Sequence, residues 1–313
     1  MRNNQTNKQA FTAGFVITLA GALFFSTKAI FVKLAFQSTK VDAVSLLSLR
    51  MLFSLPFYLV IAWYAGRNAK KITLRQWLLI ASMGILGYYL SSLTDFIGLQ
   101  YVSAGLERLI LFLYPTFAVL INTWLFKAKL SRKQIIALGL TYAGIGIAYF
   151  GELSAVTSAP GFYFGSFMIF LCAITYSFYL VGTGKMVVQV GAVRYTAYAM
   201  LIATAAIFLH FLLAGRMQHF SFSTKLTGYG IGLAIVATVL PSFMMSYGMK
   251  KIGSNNVAII TSIGPVSTIL QAHFILGEQI TALQIGGTLL VIAGVILIGR
   301  QDIKEEPLPE ITA

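Results

Sequence analysis

The sequence predicts an all-α membrane protein of ten transmembrane helices, arranged as two inverted five-helix repeats. Three observations carry this reading. The 313 residues are 58% hydrophobic and only 10% charged, against about 25% charged in ordinary soluble domains. The stretch that begins at Tyr101 lies without gaps over the stretch that begins at Lys251: Pro115 falls on Pro265, Leu120 on Leu270, Gln134-Ile135 on Gln284-Ile285, and Ala143-Gly144 on Ala293-Gly294. Aligned identity is low, so the matched hydropathy and the placed prolines mark the repeat. Finally, corresponding loops differ in charge. Lys127, Lys129, Arg132 and Lys133 crowd one, whereas Gly277–Ala282 holds a single charge, Glu278. Cations collect on the cytoplasmic side of a membrane, so repeats related in this way insert upside down relative to each other.

A cytoplasmic tail, 1–10, precedes the first repeat, 11–150, whose spans are read at 11–36, 43–65, 76–99, 102–126 and 132–150. Each is near the 20 or so residues that a bilayer requires. The first follows Arg2 and Lys8 but is too long for a secretory signal and is followed by further spans, so it reads as a retained helix. The second repeat, 151–300, places spans at 161–184, 194–214, 226–249, 252–276 and 281–299, and a cytoplasmic tail, 301–313, closes the chain. A β-barrel would need alternating segments of about 10 residues, which are not seen. The formal net charge of +14 is an orientation signal and not a nucleic-acid footprint. Arg67, Lys70, Lys71, Arg75, the 127–133 cluster, Lys185, Arg194, Lys250 and Lys251 fall on one side, and Lys40, Arg216 and Lys225 on the other. Both termini are therefore expected in the cytoplasm of a cell whose inner membrane holds the protein. Cys172 is the one cysteine, so no intrachain disulfide can form.

Charged side chains at membrane depth cost about 2.5–3.5 kcal/mol each, and their positions are the main evidence for a site. Lys28 lies in the first span, Arg50 in the second, Asp95 in the third, and Glu107 and Arg108 in the fourth. Counted from the predicted outer ends, all five sit roughly 7–12 Å deep, in one layer. Glu107 and Arg108 are adjacent and point about 100° apart on a helix, so each needs a partner on another helix. Three cations against two carboxylates leave one positive charge, which a substrate carboxylate would balance; the competing reading is a structural clasp across four helices. Arg50 reads as the structural member, and Lys33 as a side chain that snorkels to the interface. The second repeat offers neutral groups instead, with Ser177, Ser242 and Asn256 as binding candidates, and polar groups beside Pro241 and Pro265 the better placed because a proline frees backbone carbonyls. Tyr88, Tyr89, Phe112 and Tyr114 could form an aromatic wall.

Other chemistries lack their residues. Gly182-Thr183-Gly184-Lys185-Met186 has neither the leading glycine spacing nor the hydroxyl residue of a phosphate loop. His210, His219 and His273 stand on separate segments without ligand spacing, so no metal, cofactor or catalytic residue is expected. His273 reads as an interior, hydrogen-bonded histidine. Gly139 and Ala143, four apart, and Gly287 and Gly294 suit close packing of helices 5 and 10, either within one chain or across a homodimer. The expected partners are thus a small-molecule metabolite and the lipid bilayer.

From about Phe11 to Arg300 the chain resembles the drug/metabolite transporter superfamily, specifically its EamA family. The residues that carry the resemblance are Ser48-Leu49-Arg50-Met51-Leu52, Ser103-Ala104-Gly105 followed by Pro115, Gly277-Glu278, Gly286-Gly287 and Ala293-Gly294-Val295. The resemblance implies ten helices, with 1, 3, 4, 6, 8 and 9 around a central cavity, 2 and 7 beside them, and 5 and 10 at the periphery. It also implies a secondary, non-ATP transporter of amino acids or other small metabolites, commonly outward, by alternating access, with a passive channel or an intramembrane enzyme as alternatives. Lys28, Asp95, Glu107 and Arg108 then fall on lining helices. Two departures stand out: Lys127-Ala128 replaces a repeated Gly-Glu, and the charge layer is denser than the family pattern.

Overall fold

The computed structural model describes residues 2–67, 69–126, 132–155, 160–214, 223–261 and 263–302. All regular structure among them is helical: α1 (Arg2–Ser38), α2 (Ala43–Gly66), α3 (Leu74–Gly84), α4 (Ser91–Gly98), α5 (Ala104–Leu111), α6 (Tyr114–Phe126), α7 (Arg132–Ala155), α8 (Phe162–Val190), α9 (Ala192–Leu213), α10 (Thr224–Ala234), α11 (Leu240–Thr261), α12 (Gly264–Gln271) and α13 (Ala282–Asp302). Wider π turns occupy Ile85–Leu90, Ile235–Val239 and Ala272–Leu276. Six described helical rods are long and apolar enough to cross a membrane, and shorter apolar helices cover Leu138–Gly151 and Ala282–Gly294. This is an integral, multi-pass membrane protein.

The local chemistry that starts these helices recurs along the chain. Thr73 and Ser223 are N-caps of α3 and α10, each accepting from the backbone N–H three residues on, which satisfies a donor that a helix end otherwise leaves bare. Beyond the caps, elements recur at a constant shift of 150 residues: α3 and α10 begin at 74 and 224, their π turns at 85 and 235, α6 and α12 at 114 and 264, and α7 and α13 at 132 and 282. The two members of the last pair pack antiparallel. A Cβ on Gly144 would come within 2.5 Å of the Gly287 carbonyl oxygen, while Gly151 lies against Leu283. The small residues thus bring two backbones close within a single chain, and Gly139 faces open space.

The segments predicted as single fourth and ninth spans are not single helices. The fourth is broken at Phe112-Leu113, between α5 and α6, ahead of Pro115, and the ninth ahead of Gly264-Pro265. Proline cannot donate its backbone nitrogen and crowds the preceding turn, so a break falls there. The predicted boundary at 249–252 also differs, because α11 is helical through it. Even so, the chain reverses there. Gly248 lies against Val257, nine residues on, a separation of about 13.5 Å in a straight helix. Gly14 packs on Ile252 and Gly21 on Met244, whereas Ser26 reaches Gly264, so the chain descends along α1 and then climbs back. Where Ser103 caps α5, the corresponding residue is Gly253, which has no side-chain oxygen with which to cap a new helix.

Candidate functional site

α1, α4 and α5 bring Lys28, Asp95 and Glu107 together. The Lys28 ammonium lies 2.7 Å from Asp95 Oδ2 and 3.9 Å from Glu107 Oε1, and both carboxylates are wholly buried, at 0% exposure. The Asp95 contact is a close ion pair, and the Glu107 carboxyl lies against Asp95 as well. One cation therefore serves two carboxylates. Arg50 stands apart from this trio: its Nη2 donates to Ser92 at 3.0 Å and its guanidinium lies over the Phe96 ring at 5.3 Å, tying α2 to α4.

Arg108 has a different environment. Its guanidinium is held between the rings of Phe25 (5.5 Å) and Phe112 (5.8 Å), and Lys28 sits over the same Phe25 ring at 5.8 Å. The faces of aromatic rings attract a desolvated cation, but they do not neutralise it. Among the described residues no carboxylate lies within 4 Å of this guanidinium.

From Phe112 an aromatic chain runs on through Tyr114 (5.6 Å), Tyr176 (5.2 Å) and Tyr179 (5.5 Å) to Tyr88 (4.9 Å), and the hydroxyls of Tyr88 and Tyr179 share a 2.6 Å hydrogen bond. Gly87, in the first π turn, allows this: a side chain there would collide with the Tyr179 ring. The same π turn sends Tyr89 the other way, to His210 Nδ1 at 3.0 Å on α9, away from the aromatic chain. Ser177 spends its hydroxyl on the carbonyls of Ala173 and Tyr114. Ser242 bonds Thr238 O and Tyr58. The side chain of Asn256 lies outside the described residues.

The Lys33 ammonium donates to the Val102 carbonyl at 2.7 Å, an oxygen left without a helical partner in the turn before α5. One reading is corrected. His273 is hydrogen-bonded, to the Glu278 carbonyl at 2.8 Å, but is exposed and not interior, because the π turn at Ala272–Leu276 rotates it outward. Sequence reasoning also missed Phe25, whose only signal is its place three residues before Lys28, and the role of Glu278. The Glu278 carboxylate accepts from the backbone N–H groups of Ala104 (3.0 Å) and Gly105 (3.3 Å), at the positive end of α5. Gly277, at φ 71°, makes the left-handed turn that delivers it.

The EamA-like transporter family matches residues 12–150 and again 163–300. The chain belongs to this family. The Bacillus subtilis (strain 168) protein described as an uncharacterized transporter, YcbK, is 31% identical over 310 residues, covering 94% of this chain and 96% of its own length. An Archaeoglobus fulgidus protein also described as an uncharacterized transporter is 24% identical over 294 residues, covering 92% and 97%. A solved crystal structure resembles the fold with a TM-score of 0.63 at 17% identity, covering 95% of this chain and 99% of that one. As an EamA-family member the protein is a membrane transporter, and the two motifs Ser103-Ala104-Gly105 and Gly277-Glu278 are now seen to touch: the second caps the helix that the first begins.

Proposed function

We propose that the protein is a secondary transporter that moves a small zwitterionic or anionic metabolite, such as an amino acid, outward by alternating access between two inverted five-helix repeats. The observation that carries this reading is the pair of interrupted helices, α5–α6 and α11–α12, which meet a buried charge layer. Arg108 of one lies against Gly264 of the other, and a broken helix places unpaired backbone groups where a cavity can use them. The 150-residue recurrence of elements and the antiparallel α7–α13 pair support the inverted arrangement. The cation-rich loops support cytoplasmic termini in a bacterial inner membrane. Purified protein in liposomes tests the transport class: saturable, competable amino-acid flux is expected, and unsaturable flux would mark a passive channel. Cysteine labelling in intact cells tests orientation, with position 129 expected to be closed to an impermeant reagent and position 157 open.

A further inference from the structure

The charge layer divides into two parts with different chemistry. Lys28, Asp95 and Glu107 are mutually engaged. Arg108 has no carboxylate within 4 Å among the described residues, lies between two aromatic rings, is 7% exposed, and buries an Nε with no acceptor. Burying a cation without a counter-charge is strongly unfavourable, and aromatic faces offset only part of that cost.

A second, independent feature converges on the same place. A Cβ on Gly264 would sit 2.5 Å from Arg108 Nη2, so the guanidinium lies against the first turn of α12. That helix begins with Gly264-Pro265, and its N-cap residue, Ile263, provides no side-chain bond. A helix N-terminus is a positive pole, here with Pro265 contributing no N–H. Two positive features facing each other repel, unless an anion joins them.

We infer that Arg108 and the uncapped N-terminus of α12 form the docking point for a substrate carboxylate, with the Phe25 and Phe112 rings beside it, while Lys28, Asp95 and Glu107 act as the structural clasp. This rests on the transporter reading and deepens it. By formal charge, Lys28, Arg50 and Arg108 outnumber Asp95 and Glu107 by at least one, an excess that a substrate carboxylate offsets. A planar guanidinium matches a carboxylate with two parallel N–H donors, whereas an ammonium does not. The adjoining rings select a carboxylate borne on a partly apolar body. Joining a group on the first repeat to a helix end of the second, the bound anion would also hold the two repeats together on one side.

Acetate, the smallest carboxylate, is the probe, with acetamide as its uncharged isostere. In detergent at constant ionic strength, acetate should raise the melting temperature of the wild type in a saturable manner, and acetamide should not. Arg108→Gln should weaken acetate affinity by roughly tenfold or more, the loss expected for a charge-assisted bidentate contact, and Arg108→Lys should fall between. Arg108→Gln breaks no ion pair, so a monodisperse variant is expected; should it fail to fold, Arg108→Lys and the acetate–acetamide contrast in the wild type still decide the matter. Acetate binding that is absent from the wild type, matched by acetamide, or undiminished in both variants would overturn the inference. In liposomes, wild-type carboxylate flux through Arg108→Gln would also overturn it and leave the carrier reading standing, whereas absence of saturable flux in the wild type would remove the carrier reading itself.

Discussion

Removing the Lys28 ammonium should cost stability before it costs transport. Lys28→Met keeps the length and apolar bulk of the side chain but leaves Asp95 and Glu107, both at 0% exposure, with no cation within 4 Å among the described residues. Breaking a buried pair by removing one partner costs about 3–5 kcal/mol, because the surviving charge stays buried and uncompensated. Here two carboxylates survive, so the upper end of that range applies, against a total stability of about 5–15 kcal/mol for a typical domain. The assay is yield of monodisperse protein and thermal unfolding in detergent, with transport normalised to folded protein. Two rescues follow from the geometry. Lys28→Met with Asp95→Asn and Glu107→Gln removes all three charges and should recover much of the loss. In a charge exchange the proper partner is Asp95, at 2.7 Å, and not Glu107, at 3.9 Å, so Lys28→Asp with Asp95→Lys should recover more than the exchange with Glu107. A Lys28→Met protein that melts like the wild type but no longer transports would refute the clasp and make Lys28 a substrate ligand.

The membrane-crossing helices and the doubling of the family unit were legible in the sequence because lipid imposes a rule that reads directly from hydropathy, apolar runs of fixed length. The charge layer was legible for the same reason, since a charge at depth is too costly to be incidental. Partner choice within the layer was not legible. Counting residues along a span gives depth but not the direction in which a side chain points, so Lys28 and Arg108 looked equivalent until their surroundings separated them. The π turns were equally hidden, and they send the neighbours Tyr88 and Tyr89 to opposite helices, α8 and α9. In the sequence Glu278 stands out only as part of a motif. Its capping of α5, 174 residues away, is a tertiary fact that no local pattern signals.

Further expectations follow from individual contacts. Glu278→Gln keeps the side chain's shape but loses the negative charge at the α5 N-terminus, and should lower stability by about 1–2 kcal/mol in detergent melts; an unchanged melt would remove the carboxylate's role as a cap. Gly144→Leu should destabilise strongly by forcing α7 away from the Gly287 backbone, whereas Gly139→Leu, which meets nothing within 4 Å, should leave the monomer's melt unchanged; a Gly139→Leu change in oligomer size on a gel-filtration column would point to a homodimer through that face. Tyr179→Phe strands the half-buried Tyr88 hydroxyl, whose partner at 2.6 Å it removes, at a cost toward the lower end of the roughly 1–3 kcal/mol of an unsatisfied buried group. Tyr88→Phe together with Tyr179→Phe removes both polar groups while keeping both rings, so the double variant should be more stable than the sum of the two single losses predicts. Strict additivity in that cycle would mean that water or another group satisfies each hydroxyl independently, and that the two tyrosines do not hold α8 to the π turn.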